Sequence, residues 1–307
     1  MRARVSKSSP TNSSRANNVR SRSAGAKGKD VSAVVLGTHL MKPWYASSYK
    51  EKLLGDACRK DGRLYVCEYC FKYSPDISRM MGHQKFCPLA QSGALGTCVY
   101  TGNGYEIHEV DGSEHPLFCQ NLCLFAKLFL DTKSVCYEVE SFLFYTLVET
   151  SPDTGYQHVV GFFSKEKISW DDYNLACILV FPPYQRRGLG KLLISFSYGL
   201  SKMNCKMGSP EKPLSDLGHK GYIAYWSSCI AQTIMQTGQD AISVNELSKA
   251  TYIQQDDIKL ALDSMGVLVP DAQGGAAHIR MDKWKRGMVD EAYTINPENL
   301  VMRSVKA

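Results

Sequence analysis

Long apolar runs are missing from this 307-residue sequence: no window approaches the roughly 18 consecutive apolar residues of a membrane-spanning helix. The opening residues, Arg2-Ala3-Arg4-Val5-Ser6-Lys7, lead into polar sequence and lack the apolar stretch of a secretory signal. Both absences point to a soluble, intracellular protein with no membrane partner. An even set of cysteines is missing as well. The chain carries 11, and two of them, Cys177 and Cys229, sit inside apolar runs where a thiol behaves as a small buried hydrophobe. Reduced thiols and one metal site are therefore expected, not a disulfide framework. No internal repeat is visible.

What is present has the balance of a globular protein, with 44% apolar and 21% charged residues, enough for one large domain or two moderate ones. The net charge of +6 is unevenly placed. Residues 1–30 hold eight Lys/Arg against one acid, Asp30, so the remainder is nearly neutral. The tail over 1–32 has few large apolar residues and cannot offset its ordering entropy, so it reads as disordered. Its charge suits non-specific contact with DNA phosphates or an import signal.

Beyond the tail, Val34-Val35-Leu36 and Leu64-Tyr65-Val66 read as strands, as do Ser134–Val139, Phe142–Val148, His158–Phe163 and Ala176–Phe181. Helical spacing marks Leu122–Leu130 and Lys191–Met203. Two short helices, Asn245–Lys249 and Gln255–Met265, precede a small hairpin of Val267–Val269 and His278–Met281, the order of a helix-turn-helix with a wing.

Cys67, Cys70, His83 and Cys87 give C-x2-C-x12-H-x3-C. Each pair can place two ligands on one ion from a tight turn or a helical turn, which suits tetrahedral Zn²⁺. Phe71, Met80 and Met81 are expected to form the finger's small core. The helix before His83 offers Asp76, Ile77, Ser78, Met80 and Met81 with only Arg79 basic, which does not suit base reading. The finger is expected to be structural and to pack against its neighbour.

Residues 174–194 run from an apolar strand through Pro182-Pro183 into Gln185-Arg186-Arg187-Gly188-Leu189-Gly190 and an apolar helix. Glycines let the backbone approach an anion, and free N–H groups at the helix start point towards it. Arg186, Arg187 and Lys191 add positive charge, so the loop reads as a pyrophosphate cradle. A dinucleotide-binding fold fits less well, because the third glycine and the following acidic residue are absent. Q-x-x-G-x-G between a strand and a helix is instead the acetyl-CoA signature of the GNAT-like acetyltransferase fold.

From about Met41 to Trp284 the chain resembles the MYST acetyltransferases. The resemblance includes Trp44-Tyr45, the finger, Phe118-Cys119-Gln120-Asn121-Leu122-Cys123-Leu124, the stretch Leu128–Ser134, Gly161-Phe162-Phe163-Ser164-Lys165-Glu166, the glycine loop and Gly208–Gly218. Residues 181–190 look most like the fungal "something about silencing" subfamily. The resemblance implies a histone lysine N-acetyltransferase that uses acetyl-CoA and structural Zn²⁺, acting in the nucleus on chromatin within a small complex. Histones in nucleosomes, histone H4 in particular, would be the substrate, and accessory subunits would supply targeting, since no chromodomain, PHD finger or bromodomain signature is present.

The resemblance also assigns roles. Glu211 matches the general base: a lysine amine of pKa about 10.4 is free base only about one time in a few thousand at neutral pH, so a carboxylate must take its proton. Cys177 matches the active-site cysteine, a candidate for a covalent acetyl intermediate. Ile178, Leu179 and Val180 would lie along the pantetheine arm, Gln185, Arg186, Arg187, Gly188, Leu189, Gly190 and Lys191 would hold the pyrophosphate, and Ser215 matches a further cofactor contact. Lys133 matches a lysine that the family acetylates on itself. Ala224 stands where relatives often carry serine, and Cys136-Tyr137 where Tyr-Tyr is usual.

The expected fold is mixed α/β (α+β), with a GNAT-like central sheet and flanking helices. The expected division is tail 1–32, N-terminal region 33–115 with its finger at 64–89, acetyl-CoA-binding core 116–220 and a winged-helix-like region 221–307. Two other functions compete with this reading. A chromatin-binding scaffold, weak in catalysis and active only within a complex, would be expected to have lost the base or a loop glycine. A DNA-binding regulator is opposed by the finger's helix.

Overall fold

The computed structural model describes residues 31–49, 62–131, 137–237, 242–269, 278–279 and 295–300. Residues 1–30 of the tail and Lys133 lie outside them, whereas Val31 is buried and Ser32 N–H donates to the Gly62 carbonyl, so the ordered chain includes the last two residues of the expected tail. Strands β1 (Ala33–Leu36) and β2 (His39–Met41) pair antiparallel, β3 (Arg63–Val66) runs parallel to β1, and β4 (Tyr73–Ser74) returns antiparallel to β3. Helices α1 (Ile77–Lys85) and α2 (Pro88–Ser92) complete this portion. Asp76 caps α1 by accepting from the backbone N–H of Ser78 and Arg79, the side-chain cap that the orphan donors of a helix start require.

The central sheet follows. β5 (Thr97–Gly102) turns through Asn103-Gly104, both at positive φ, into β6 (Tyr105–Asp111). That is the two-residue turn whose twist matches antiparallel strands. After α3 (Pro116–Ala126) come the long strands β7 (Phe142–Thr150) and β8 (Gln157–Glu166), then β9 (Tyr173–Leu175) and β10 (Cys177–Val180). The sheet order is β10-β8-β7-β6-β5, antiparallel throughout. Burial along β7 and β8 is continuous across their middles instead of alternating, so both faces are covered. On one face Tyr145 and Phe163 stack at 4.7 Å and meet Phe196 of α4 (Leu189–Met203). α3 carries Phe118, Leu122 and Phe125 into the same core.

β11 (Ser209–Pro210) pairs parallel to β9. A second core forms around α5 (Asp216–Thr237), α6 (Val244–Thr251) and α7 (Gln255–Ser264), with Trp226 donating to the Tyr198 hydroxyl of α4 at 2.8 Å. β12 (Leu268–Val269) and β13 (His278–Ile279) pair antiparallel, so the two short helices and the hairpin stand in the expected order. Ser243 and Glu246 form a reciprocal capping box at the start of α6.

Three expectations change. The finger does not build its core from Phe71, Met80 and Met81. Met80 is buried with Cys67 and Cys87, but Met81 is 56% exposed, and Phe71 leaves the finger altogether. It sits fully buried between Phe118, Phe125 and Phe181 at 5.5–5.8 Å. An aromatic ring gains more by entering the large core than by covering a three-residue cluster. The helix expected over Leu122–Leu130 begins at Pro116 and ends at Ala126. Pro116 supplies the first position where no N–H is needed, while Leu128 and Phe129 are apolar because the turn after the helix is buried. Residues 137–139 are not strand, and 134–136 lie outside the described residues.

Candidate active site and metal centre

The four predicted metal ligands converge. One donor atom from each of Cys67, Cys70, His83 and Cys87 lies within 4.8 Å of the other three, with Cys67 Sγ–Cys87 Sγ at 3.9 Å and Cys70 Sγ–His83 Nε2 at 3.2 Å. The first pair sits in a turn closed by Phe71 N–H to Cys67 O at 3.0 Å and Cys67 N–H to Lys72 O at 2.8 Å, with Phe71 at φ +59°. His83 lies in the last turn of the capped helix α1, and Cys87 is the N-cap of α2, with Pro88 after it. The cluster's side chains are electrostatically divided among themselves. A hydrogen bond from Cys70 holds the Cys67 thiol down to about 5, while the same bond pushes Cys70 far up and burial raises Cys87. The cluster favours one thiolate at its neighbours' expense, and a divalent cation removes that conflict. Three sulfurs and one imidazole in a compact shell fit tetrahedral Zn²⁺ in a closed structural site.

The second site lies at the sheet's β10 edge, where among the described residues no further strand pairs. Phe181 N–H donates to Val160 O at 2.9 Å, and Cys177 N–H donates to Ser164 Oγ at 3.3 Å. Antiparallel ladders alternate, so the backbone groups of Ile178 and Val180 face outwards while Leu179 faces β8. Gln185 then donates its side-chain amide to Val180 O at 2.8 Å and folds the next turn back on the strand. Arg186 at φ +62° and Gly188 at φ +76° bring the chain to the start of α4, whose first N–H groups have no side-chain cap among the described residues. Successive N–H groups in such a turn form an anion-binding concavity, and the helix start adds its positive end. A Cβ built on Gly190 would meet no atom of the described residues within 4 Å. Packing among those residues does not demand that glycine; open space in front of the backbone is what a pyrophosphate would need.

The remaining predicted residues are placed as follows. Cys177 is half-buried at the start of β10. Glu211 has an exposed side chain, and its N–H donates to Leu175 O at 2.9 Å, which hooks its segment beside the strand that leads to Cys177. Leu189 is buried as an anchor of α4, and Lys191 lies half-buried in its first turn. Ser215 accepts from Gly218 N–H at 3.1 Å and so caps α5. The Arg186 side chain is exposed. That of Arg187 turns away from the helix start, pairing with Glu149 and donating to the Tyr105 hydroxyl at 2.6 Å, so it ties the loop to β6 and β7.

Sequence reasoning missed the partners. Glu149, Tyr105, Ser164 and Asp257 are each far along the chain from the residues they hold, and no local pattern marks them. Asp257 of α7, fully buried, accepts from Lys212 Nζ at 2.7 Å and pins the residue next to Glu211. Lys212 is 44% exposed, so the pair is asymmetric: the amine can retreat to water and the carboxylate cannot. Lys212→Met is expected to cost about 3 kcal/mol in urea unfolding by stranding a buried charge, and adding Asp257→Leu should recover much of it. An unchanged midpoint in the single variant would show that the pair does not hold this segment.

An antiparallel sheet whose edge strand runs into a glycine turn at a helix start, packed beside a Cys₃His finger, defines the class as a zinc-finger-bearing acetyltransferase fold. Residues 93–303 match the sequence model of the MOZ/SAS family, and residues 28–87 match the MYST family zinc finger domain. The chain belongs to the MOZ/SAS family. It is 44% identical over 235 residues to "Histone acetyltransferase mst2" of Schizosaccharomyces pombe, covering 76% of this chain and 55% of that protein. It is 40% identical over 242 residues to "Histone acetyltransferase Tip60 homolog" of Caenorhabditis elegans, covering 77% and 51%. With human "Histone acetyltransferase KAT6A" the identity is 42% over 237 residues, 77% of this chain but 11% of that protein. The chain thus spans about half the length, or less, of these relatives.

Proposed function

We propose that this chain is a histone lysine N-acetyltransferase that moves an acetyl group from acetyl-CoA to a histone-tail lysine, histone H4 being the expected target. The observation that carries the reading is one of assembly. Strand β10 runs through one short turn into the glycine turn at the start of α4, and Glu211 is hooked to Leu175, two residues before Cys177, although it lies some 35 residues further along the chain. Acetyl-CoA would lie along β10 through Ile178 and Val180, with its pyrophosphate on the turn from Gln185 to Lys191 and a further contact near Ser215. Bound there, it supplies an acyl group activated as a thioester.

The protein's own part is to orient and to move a proton. Glu211 takes a proton from the incoming amine, directly or through water, and the segment around it is held by Leu175 on one side and by Asp257 through Lys212 on the other. Cys177 shapes the floor of the site beside the reacting carbonyl or takes the acyl group in a covalent step. The finger's zinc has no part in the chemistry and fixes the surface on which the cleft is built. Nuclear chromatin is the proposed location, with accessory subunits providing targeting, the basic tail adding non-specific DNA contact and Lys133 a site of self-acetylation.

The test is acetyl transfer from labelled acetyl-CoA to recombinant nucleosomes, with products mapped by mass spectrometry. Acetylated histone would name the lysine. Acetyl-CoA binding without transfer would favour a scaffold that needs partner subunits, and absence of both would sink the catalytic reading. Gly190→Ala gives a second check. An alanine in the first turn of α4 meets open space and should stabilise the fold slightly, by about 0.5 kcal/mol. It should also weaken acetyl-CoA binding by about tenfold or more by filling the pyrophosphate's approach. Unchanged affinity would place the cofactor elsewhere.

A further inference from the structure

β5 and β6 meet antiparallel with Cys98 directly opposite His108, and Glu106 lies two residues before His108 on the same strand. Residues i and i+2 of a strand share a face, and the residue opposite shares it too. A thiol, an imidazole and a carboxylate therefore project together from a hairpin at the opposite edge of the sheet from β10. One donor atom from each lies within 4.8 Å of the other two, the same bound that the four finger ligands satisfy.

The surroundings are those of a built site. His108 is only 7% exposed. Its Nε2 lies 2.8 Å from Glu106 Oε2, and its Nδ1 is buried with no hydrogen-bond partner among the described residues. Gln157 of β8 donates to the same Glu106 oxygen at 3.0 Å, while its own Oε1 accepts from Ala94 N–H at 3.0 Å, so the carboxylate is oriented from outside the cluster. Cys98 is half-buried and reduced, with Sγ 3.4 Å from Tyr100 O and 3.4 Å from Thr101 Oγ1. Most buried polar atoms in a protein core are hydrogen-bonded. His108 Nδ1 is an exception among the described residues, and its ring is flanked by two further metal-binding groups.

We infer that Cys98, Glu106 and His108 form a second metal site, separate from the finger, that takes a zinc-class divalent cation. One sulfur, one nitrogen and one oxygen suit Zn²⁺ better than Mg²⁺ or Ca²⁺, which prefer all-oxygen shells. Three protein ligands leave the fourth tetrahedral position to water or a small anion, the open pattern that the closed Cys₃His finger lacks.

The experiment uses the full chain with any affinity tag removed. Zinc per chain is measured by mass spectrometry after exchange into metal-free buffer, followed by titration with Co²⁺ and recording of the thiolate-to-cobalt absorption. Two equivalents are expected in the native chain and one in Cys98→Ser, which changes a half-buried thiol conservatively, with the thermal transition retained as the control for folding. His108→Gln should match Cys98→Ser, both variants keeping the finger's equivalent. A single equivalent in the native chain, with no second cobalt–thiolate band and no change in Cys98→Ser, would overturn the site and leave His108 and Glu106 as a buried hydrogen-bonded pair.

Discussion

Glu211→Gln is expected to slow acetyl transfer to nucleosomes by about 100-fold to 10,000-fold, the usual worth of a positioned general base, while acetyl-CoA binding and the unfolding midpoint stay as they were. The side chain is exposed, and the residue is held through its backbone N–H to Leu175 O at 2.9 Å, a bond that glutamine keeps. What the variant loses is the capacity to accept a proton from an amine that is almost wholly protonated at neutral pH. Its residual rate should then climb about tenfold per pH unit as the free-amine fraction grows below pKa 10.4. The native chain should rise less steeply. Cys177→Ala separates the two chemical routes. A modest loss there beside a large one at Glu211 favours direct attack, and a complete loss at Cys177 beside a small one at Glu211 would move the essential step to the thiol. Equal activity of Glu211→Gln and the native chain would remove Glu211 from the mechanism.

The second large effect concerns the finger's metal. Cys70→Ser, or removal of finger zinc, is expected to abolish the cooperative unfolding of the central sheet as well as of the finger. Binding of structural zinc contributes about 10 kcal/mol or more to folding in small finger domains. That is as large as the whole stability of a typical domain, about 5–15 kcal/mol. The coupling here runs through one side chain. Phe71 follows Cys70 directly, sits at φ +59° in the turn that the metal closes, and is buried against Phe118, Phe125 and Phe181. When the turn opens, Phe71 cannot stay in place, and a buried aromatic lost from a core costs about 3–5 kcal/mol. Far-ultraviolet circular dichroism of Cys70→Ser on heating checks this. An unchanged main transition with loss of finger signal alone would show that the finger is an independent appendage.

Several features could be read residue by residue because the interactions that create them are short in sequence. The Cys67, Cys70, His83, Cys87 set is legible because ligand pairs three or four residues apart can reach one ion only through a tight turn or a helical turn, and the structure brings the four together. The turn from Gln185 to Gly190 is legible because only glycine takes φ near +76° without strain and only a helix start offers unpaired N–H groups at that point. The hairpin and short helices near the end followed from periodicity. Helix α3 was misplaced by six residues at its start because a buried turn and a helix are equally apolar, and periodicity alone cannot tell them apart.

By itself, then, the sequence determined three of the five central strands (β7, β8 and β10), the zinc ligands and the glycine turn, since propensity, spacing and backbone geometry act over a few residues, while β5 and β6 were not read from it. The tertiary structure alone decided which groups those elements meet. Arg187, a charge indistinguishable from Arg186 in sequence, is tied to Glu149, 38 residues away. Lys212 is pinned by Asp257, 45 residues away. Cys98 faces His108 only because β5 and β6 pair in one register, and a slip of one residue would turn these side chains to opposite faces. Such meetings depend on the register and packing of whole elements, set by the burial of the entire core, and no local window of residues contains that information.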